Sequence, residues 1–155
     1  MNRVVSISAV AIWLAIAANP LRAVCLDPKD PTLKTYYHPS LVEEVKTSEA
    51  IVVVTVEDVQ ALSEDPSDPG GWTSFIYKVR VEETISGHAP TEITLRAQND
   101  SGGYRMSKGE SHLLFLKRNG DQFSADVCGN STVLPKGSQV LEDLRALLAK
   151  SRHAV

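Results

Sequence analysis

Several groups of residues in this chain have types and spacings that invite chemistry. Ser101, Ser107 and Ser111 lie close to Asp100, Glu110 and His112, the ingredients of a nucleophile–base–acid triad. Those residues are neighbours in sequence, however, whereas hydrolase triads are assembled from separate elements, and no nucleophile-elbow or zinc-binding motif accompanies them. Glu43-Glu44 and Glu82-Glu83 are adjacent carboxylates, which on a helix or a strand cannot face one cleft together and so make no general acid–base pair. His38, His88 and His153 stand alone beside turns or at the terminus. The residues imply no catalytic group, no metal site and no cofactor.

Cys25 and Cys128 remain, and they are the only cysteines. What precedes Cys25 reads as an export signal: a basic start at Arg3, an apolar run from Val4 to Ala18, a helix break at Pro20, and cleavage after Ala23. The run is short for a membrane span. Lipid attachment to Cys25 would want a small residue before it and an apolar one three before it, and those positions hold Val24 and Arg22. Export into an oxidising compartment makes a Cys25–Cys128 disulfide the simple reading. Such a bridge closes a loop of about 100 residues, worth about 4–5 kcal/mol in the chain-entropy account. A zinc site on these cysteines is a poor rival, because no histidine stands at turn or helical spacing from either.

Removing 23 of the 155 residues leaves 132, the length of one ordinary domain spanning 24–155. The formal net charge of −3 becomes about −5 when Arg3 and Arg22 are removed. That balance argues against nucleic acid or an anionic membrane as partner. Asn99-Asp100-Ser101 and Asn130-Ser131-Thr132 match the glycosylation acceptor pattern, which would matter only in a eukaryotic secretory pathway.

Mostly strands must position these residues. Ser40 and Glu43 stand at capping-box spacing, so a short helix begins there. Ala50 to Val59 starts apolar on both faces, as a central or barrel strand does. Ser63 to Gly71 is an acidic, proline- and glycine-rich loop. Thr73 to Glu83 alternates, with Phe75, Tyr77, Val79 and Val81 inward, and Thr91 to Gln98 repeats the pattern through Ile93, Leu95 and Ala97. After a polar loop from Asn99 to Ser111 come His112–Lys117 and Gln122–Cys128, joined across an Asn-Gly turn. Val140, Leu141, Leu144, Leu147 and Leu148 make the apolar stripe of a helix over 138–152, with Glu142 and Asp143 early in it and Lys150 and Arg152 late, as the dipole favours. The fold class expected is mostly β: a five-stranded Greek-key OB-type barrel over about 50–128, with a short N-terminal helix and a C-terminal amphipathic helix.

The order of V-V-V-T-V, a long loop, F-x-Y-x-V-x-V-x-E, I-T-L, G-E-S-H-L-L-F-L and V-C-G-N-S-T-V-L-P resembles the netrin-like OB domains of tissue inhibitors of metalloproteinases, in their bacterial exported branch. The resemblance covers Cys25 to Pro135. Inhibitors of that family open with Cys-x-Cys, and the first cysteine's amine and carbonyl chelate the target's zinc. Here Ala23 stands at that position, and Gly102 stands where the family's S-C-G-Y loop has its cysteine. The resemblance therefore implies one bridge lost and one kept, the kept pair being Cys25 and Cys128.

The function expected is non-catalytic binding of a protein or glycan in the cell envelope or outside the cell, periplasmic or extracellular. The alternative is metalloprotease inhibition through the mature N-terminus at Val24 and Cys25. The partner-binding candidates are Val24, Cys25, Trp72 and Tyr104, the aromatics lying in the loops 64–72 and 99–111.

Overall fold

A computed structural model of the protein describes residue 25 and residues 37–152. The expected cleavage site, Val24 and His153 lie outside the described residues.

The first helix, α1 (Leu41–Thr47), forms where the capping signal stands: Ser40 Oγ accepts from the Glu43 backbone N–H at 3.2 Å. It ends where the Ser48 hydroxyl and N–H both bond the Glu44 carbonyl, at 2.7 and 2.9 Å. Five strands then close a barrel: β1 (Ala50–Leu62), β2 (Ser74–Gly87), β3 (Glu92–Gln98), β4 (Ser111–Asn119) and β5 (Gln122–Ala125). Their order is β1-β2-β3-β5-β4, and β4 returns to β1 over Ala50–Thr55. All pairings are antiparallel except β3 with β5, which meet in parallel at Leu95–Phe123. This closed arrangement is consistent with an OB-type barrel. Three register shifts along the β1–β2 pair supply the strong coiling that closure of so few strands demands.

Strand β1 is apolar on both faces because it serves two layers. Val52, Val54 and Val56 point into the barrel against Tyr77, Val79, Leu95, Leu114 and Leu116. Ile51 faces outward with Leu113 and Phe115 of β4, beneath the second helix, α2 (Ser138–Arg152). Leu144 of α2 is completely buried there, and Val140, Leu141 and Leu148 flank it. Leu147, assigned to the same stripe from periodicity, is not among the residues packed on that cluster.

Several boundaries differ from the sequence reading, each for a physical reason. A sixth strand, β6 (Thr132–Leu134), pairs with Ser111–Leu113; three residues are too few to show alternation. The last barrel strand stops at Ala125 and not at Cys128, because the Asp126 carboxylate accepts from the Cys128 N–H at 2.8 Å and draws the backbone into a turn. Strand β2 runs on to Gly87, whose φ of 75° brings it so close to the Glu49 carbonyl that a Cβ would lie 2.0 Å from it. The β4–β5 loop is Gly120-Asp121, flanked by the pair Asn119–Gln122, and only Gly120 has positive φ. That is the II′ pattern, one residue along from the Asn-Gly the sequence suggests. No acidic residue falls in the first turn of α2; Glu142 and Asp143 sit in the second, where the dipole acts weakly.

Candidate functional site

The two loops singled out from sequence meet at one end of the barrel. The first, 63–73, is shaped by its own acids. Asp65 Oδ1 accepts from the Ser67 hydroxyl at 2.6 Å and from its N–H at 2.8 Å, bonds that hold the Asp65 carboxyl below its ordinary range. Glu64 accepts from Ser74 Oγ at 3.2 Å and pairs with Arg96 of β3, anchoring the loop to the barrel wall.

The second loop, 99–110, is tied to the first through Asn99. Its backbone N–H donates to the Thr73 carbonyl at 2.8 Å, and its side-chain amide donates to the Trp72 carbonyl at 2.5 Å. Arg105 in turn donates to Asn99 Oδ1. The Arg105 guanidinium lies 4.4 Å from the centroid of Phe75, and the Trp72 ring meets Phe75 edge-on at 5.9 Å. Trp72 is nevertheless 61 % exposed. An accessible indole and a guanidinium are thereby held at one mouth by backbone and ring contacts.

Further along the loop, Met106 plugs the barrel core. Asp100 Oδ1 accepts from the N–H groups of Gly102 and Gly103, both at 2.9 Å, and Gly103 bridges to Asp126. A side chain at Gly103 would place its Cβ 2.1 Å from the Gln98 carbonyl, so the turn requires glycine there. Beside it, Tyr104 is half-buried and its hydroxyl lies 3.0 Å from His112 Nδ1. His112, buried at 1 % exposure, lies 3.2 Å through Nε2 from Glu110 Oε2, which also accepts from the Ser107 N–H at 2.8 Å.

The proton positions in this chain follow from elementary rules. A carboxylate only accepts, so Nε2–H donates to Glu110 and Nδ1 accepts from the Tyr104 hydroxyl. Burial pushes the His112 pKa down, favouring the neutral ring. The Ser107 N–H, more than His112, holds the Glu110 carboxyl low. Burial, reinforced by the Glu110 charge, pushes the Tyr104 phenol up, so it stays protonated. Both imidazole nitrogens are engaged and the phenol is a poor base. The cluster locks the 99–110 loop onto β4.

Around this lock runs an open depression of about 400 Å³ lined by Tyr104, Met106, Glu110, His112, Val127 and Val133. Val127 precedes Cys128, which is bonded to Cys25 with 5.6 Å between Cα atoms. The Tyr37 N–H donates to the Cys25 carbonyl at 3.1 Å, fixing the segment on its other side. Residue 25 is thus fastened beside the 99–110 loop.

Of the candidates named from sequence, Trp72 and Tyr104 lie on loops that touch, Cys25 is joined to Cys128 at their edge, and Val24 lies outside the described residues. Sequence reasoning missed Arg105 and Asn99 as the cross-loop link. For His112 there was a signal: Glu110 and His112 are two residues apart at the start of a strand, which places them on one face. Both glycosylation-pattern asparagines have their amide nitrogens engaged, Asn99 on Trp72 and Asn130 on Pro39 and Glu44. Among the described residues, no group of three His, Cys, Asp or Glu side chains is placed to hold a metal ion. No family model matches the chain, and no curated protein matches it.

Proposed function

We propose that the protein is an exported, non-catalytic binding module of the Greek-key OB type, akin to the netrin-like inhibitor domains, acting on a protein or glycan in the cell envelope or outside. The observation that carries this reading is the exposed Trp72, held beside Arg105 by the Asn99 bridge between two loops. Aromatic and arginine side chains fixed before binding lose little entropy on contact and dominate interface energetics. The disulfide is compatible with an oxidising, exported location, and among the described residues no helix is long and apolar enough to cross a membrane. The test is capture of an envelope or extracellular partner by wild type, Trp72→Ala and Tyr104→Phe proteins of equal thermal stability. Weakened capture by either variant supports the loops; undiminished capture by both refutes them.

A second reading is metalloprotease inhibition by the matured N-terminus. It is favoured by the Cys25–Cys128 bond, which fastens residue 25 next to the 99–110 loop as an inhibitor's terminus must be fastened. Ala23 in place of the family's first cysteine leaves Val24 to supply the amine and carbonyl. N-terminal sequencing of secreted protein, followed by a fluorogenic assay of a zinc metalloprotease, tests it. Inhibition abolished by one extra N-terminal residue supports this mechanism, and a mature terminus upstream of Val24 excludes it.

A further inference from the structure

Among the described residues three large hydrophobic side chains are exposed, and Trp72 is the most exposed of them. Its contact with Phe75 is edge-on, with 77° between the ring planes, so at least one face of the indole is free of that ring. The face of an indole is the strongest aromatic site for a cation.

Charge around the ring decides what that face attracts. In the 63–73 loop Glu64 is neutralised by Arg96, and in the 99–110 loop Lys108 pairs with Asp58 at 3.5 Å. Asp65, Asp68 and Asp100 have no cationic partner among the described residues. Asp65 accepts from Ser67, and Asp100 accepts from the N–H groups of Gly102 and Gly103. Neutral donors of this kind steady a carboxylate without cancelling its charge. Against these three acids stands one guanidinium, Arg105, already committed to Asn99 and to the ring of Phe75.

Asp68 is held nearest to the indole along the chain. The Gly71 N–H donates to the Asp68 carbonyl at 3.0 Å, closing a turn over 68–71, and Ser63 Oγ donates to the Pro69 carbonyl at 3.1 Å. Within this turn the Asp68 carboxylate folds back on Gly71, where a Cβ would lie 2.2 Å from Oδ2. The missing side chain at Gly71 thus lets an unpaired carboxylate rest against the backbone immediately before Trp72.

We propose that the Trp72 mouth takes a basic segment of a partner protein, with a lysine or arginine side chain lying on the indole and its charge turned toward Asp68. This rests on the reading of the mouth as the binding surface and adds the chemistry of the partner. A polyanion meets the wrong sign of charge there. A neutral sugar can stack on the indole but leaves the three carboxylates unanswered. A free amine gains one open face of contact, whereas a peptide continues across both of the loops that Asn99 joins.

The probes are three capped eight-residue peptides in which glycine alternates with lysine, glutamate or glutamine, together with a neutral tetrasaccharide of N-acetylglucosamine. Each is titrated into the full disulfide-bonded chain and followed by the Trp72 indole N–H and the Asp68 amide shifts. The lysine peptide alone moves both signals saturably, and added salt weakens it. Asp68→Asn and Trp72→Leu, in proteins of unchanged melting temperature, each weaken it by about threefold. The proposal is overturned if the glutamine or glutamate peptide or the tetrasaccharide binds as well as the lysine peptide, if none saturates, or if Trp72→Leu leaves lysine-peptide binding unchanged. The capture experiment separates this proposal from the reading beneath it. A partner weakened by Trp72→Ala but held undiminished by Asp68→Asn overturns the basic segment and leaves the surface standing. A partner held undiminished by both Trp72→Ala and Tyr104→Phe removes both.

Discussion

The side-chain amide of Asn99 donates to the main-chain carbonyl of Trp72, 27 residues earlier, and so joins the two longest loops of the barrel. Arg105 completes the link by donating to the same asparagine while lying over Phe75. The backbone that carries the exposed indole is therefore held by a residue in the opposite loop.

In protein lacking residues 1–23, Trp72 is the only tryptophan, so its emission reports this link directly. Asn99→Ala should lower the steady-state anisotropy of Trp72 and reduce stability by about 1 kcal/mol, the scale of one net hydrogen bond. Unchanged anisotropy would show that the ring contact with Phe75 alone orients the indole.

The tether is the second handle. Replacing Cys25 and Cys128 by serine opens a loop spanning 103 positions and should cost about 4–5 kcal/mol in urea unfolding at neutral pH. Intact-mass measurement accompanies the test. A mass 2 Da above the oxidised value in wild-type protein would mean free thiols and remove the basis for the expected loss.

Acid should loosen the 99–110 loop in two stages. His112 has its native pKa depressed, so the unfolded chain takes up a proton that the folded chain resists. Stability is full above the unfolded value of 6.5 and falls as pH drops from there toward the lower native value. Glu110 is also depressed, so its contribution is present above 4.5 and is lost as pH falls through its native pKa. His112→Gln should remove the upper stage and leave the lower one, read as melting temperature against pH. A profile through pH 6 identical to wild type would contradict the assigned proton positions.

Glu44 is 1 % exposed, and its Oε2 accepts from the backbone N–H of Asn130 at 2.6 Å and from that residue's side-chain amide at 2.5 Å. This joins α1 to the Cys128-Gly129-Asn130 turn. A methyl group at Gly129 would lie 2.1 Å from Glu44 Oε1. Gly129→Ala should therefore cost about 1–3 kcal/mol by overpacking, measured by chemical denaturation. A neutral substitution would mean that the turn can move without loss.

The outer layer gives a sharper contrast. Leu144→Ala should cost about 2–5 kcal/mol, because Leu144 is sealed between α2 and the backs of β1 and β4. Leu147→Ala, one turn later on the same sequence stripe, should cost much less. Equal losses would place α2 in a different rotation.

What the sequence reveals, and what it hides, follows the range of the interactions. The capping serine, the alternation through Phe75–Val81 and the stripe around Leu144 are local periodicities, and the elements formed where those patterns predict. The double-faced apolarity of Ile51–Val54 and Leu113–Leu116 signals two layers, although nothing local says that α2 supplies the second. The short β6 falls below the length at which a period can be seen. The links that local pattern hides are polar contacts across long separations: Asn99 with Trp72, and Glu44 with Asn130 at a separation of 86. Tyr104 and His112 are eight residues apart in a loop that doubles back, so spacing alone does not bring hydroxyl to imidazole. Asp126 ended β5 early for a similar reason, because a side-chain acceptor competed with the ladder.

The central claim is that the mouth carrying Trp72 is the binding surface. It is tested most directly by placing a photo-crosslinking benzoylphenylalanine at position 72 in the cells that export the protein, with the same group at Lys150 on α2 as control. The account predicts one saturable adduct from position 72, diminished when Asn99→Ala or Arg105→Ala is added and absent from position 150. Adducts of equal yield and identity from both positions, or an adduct at 72 indifferent to Asn99 and Arg105, would contradict it.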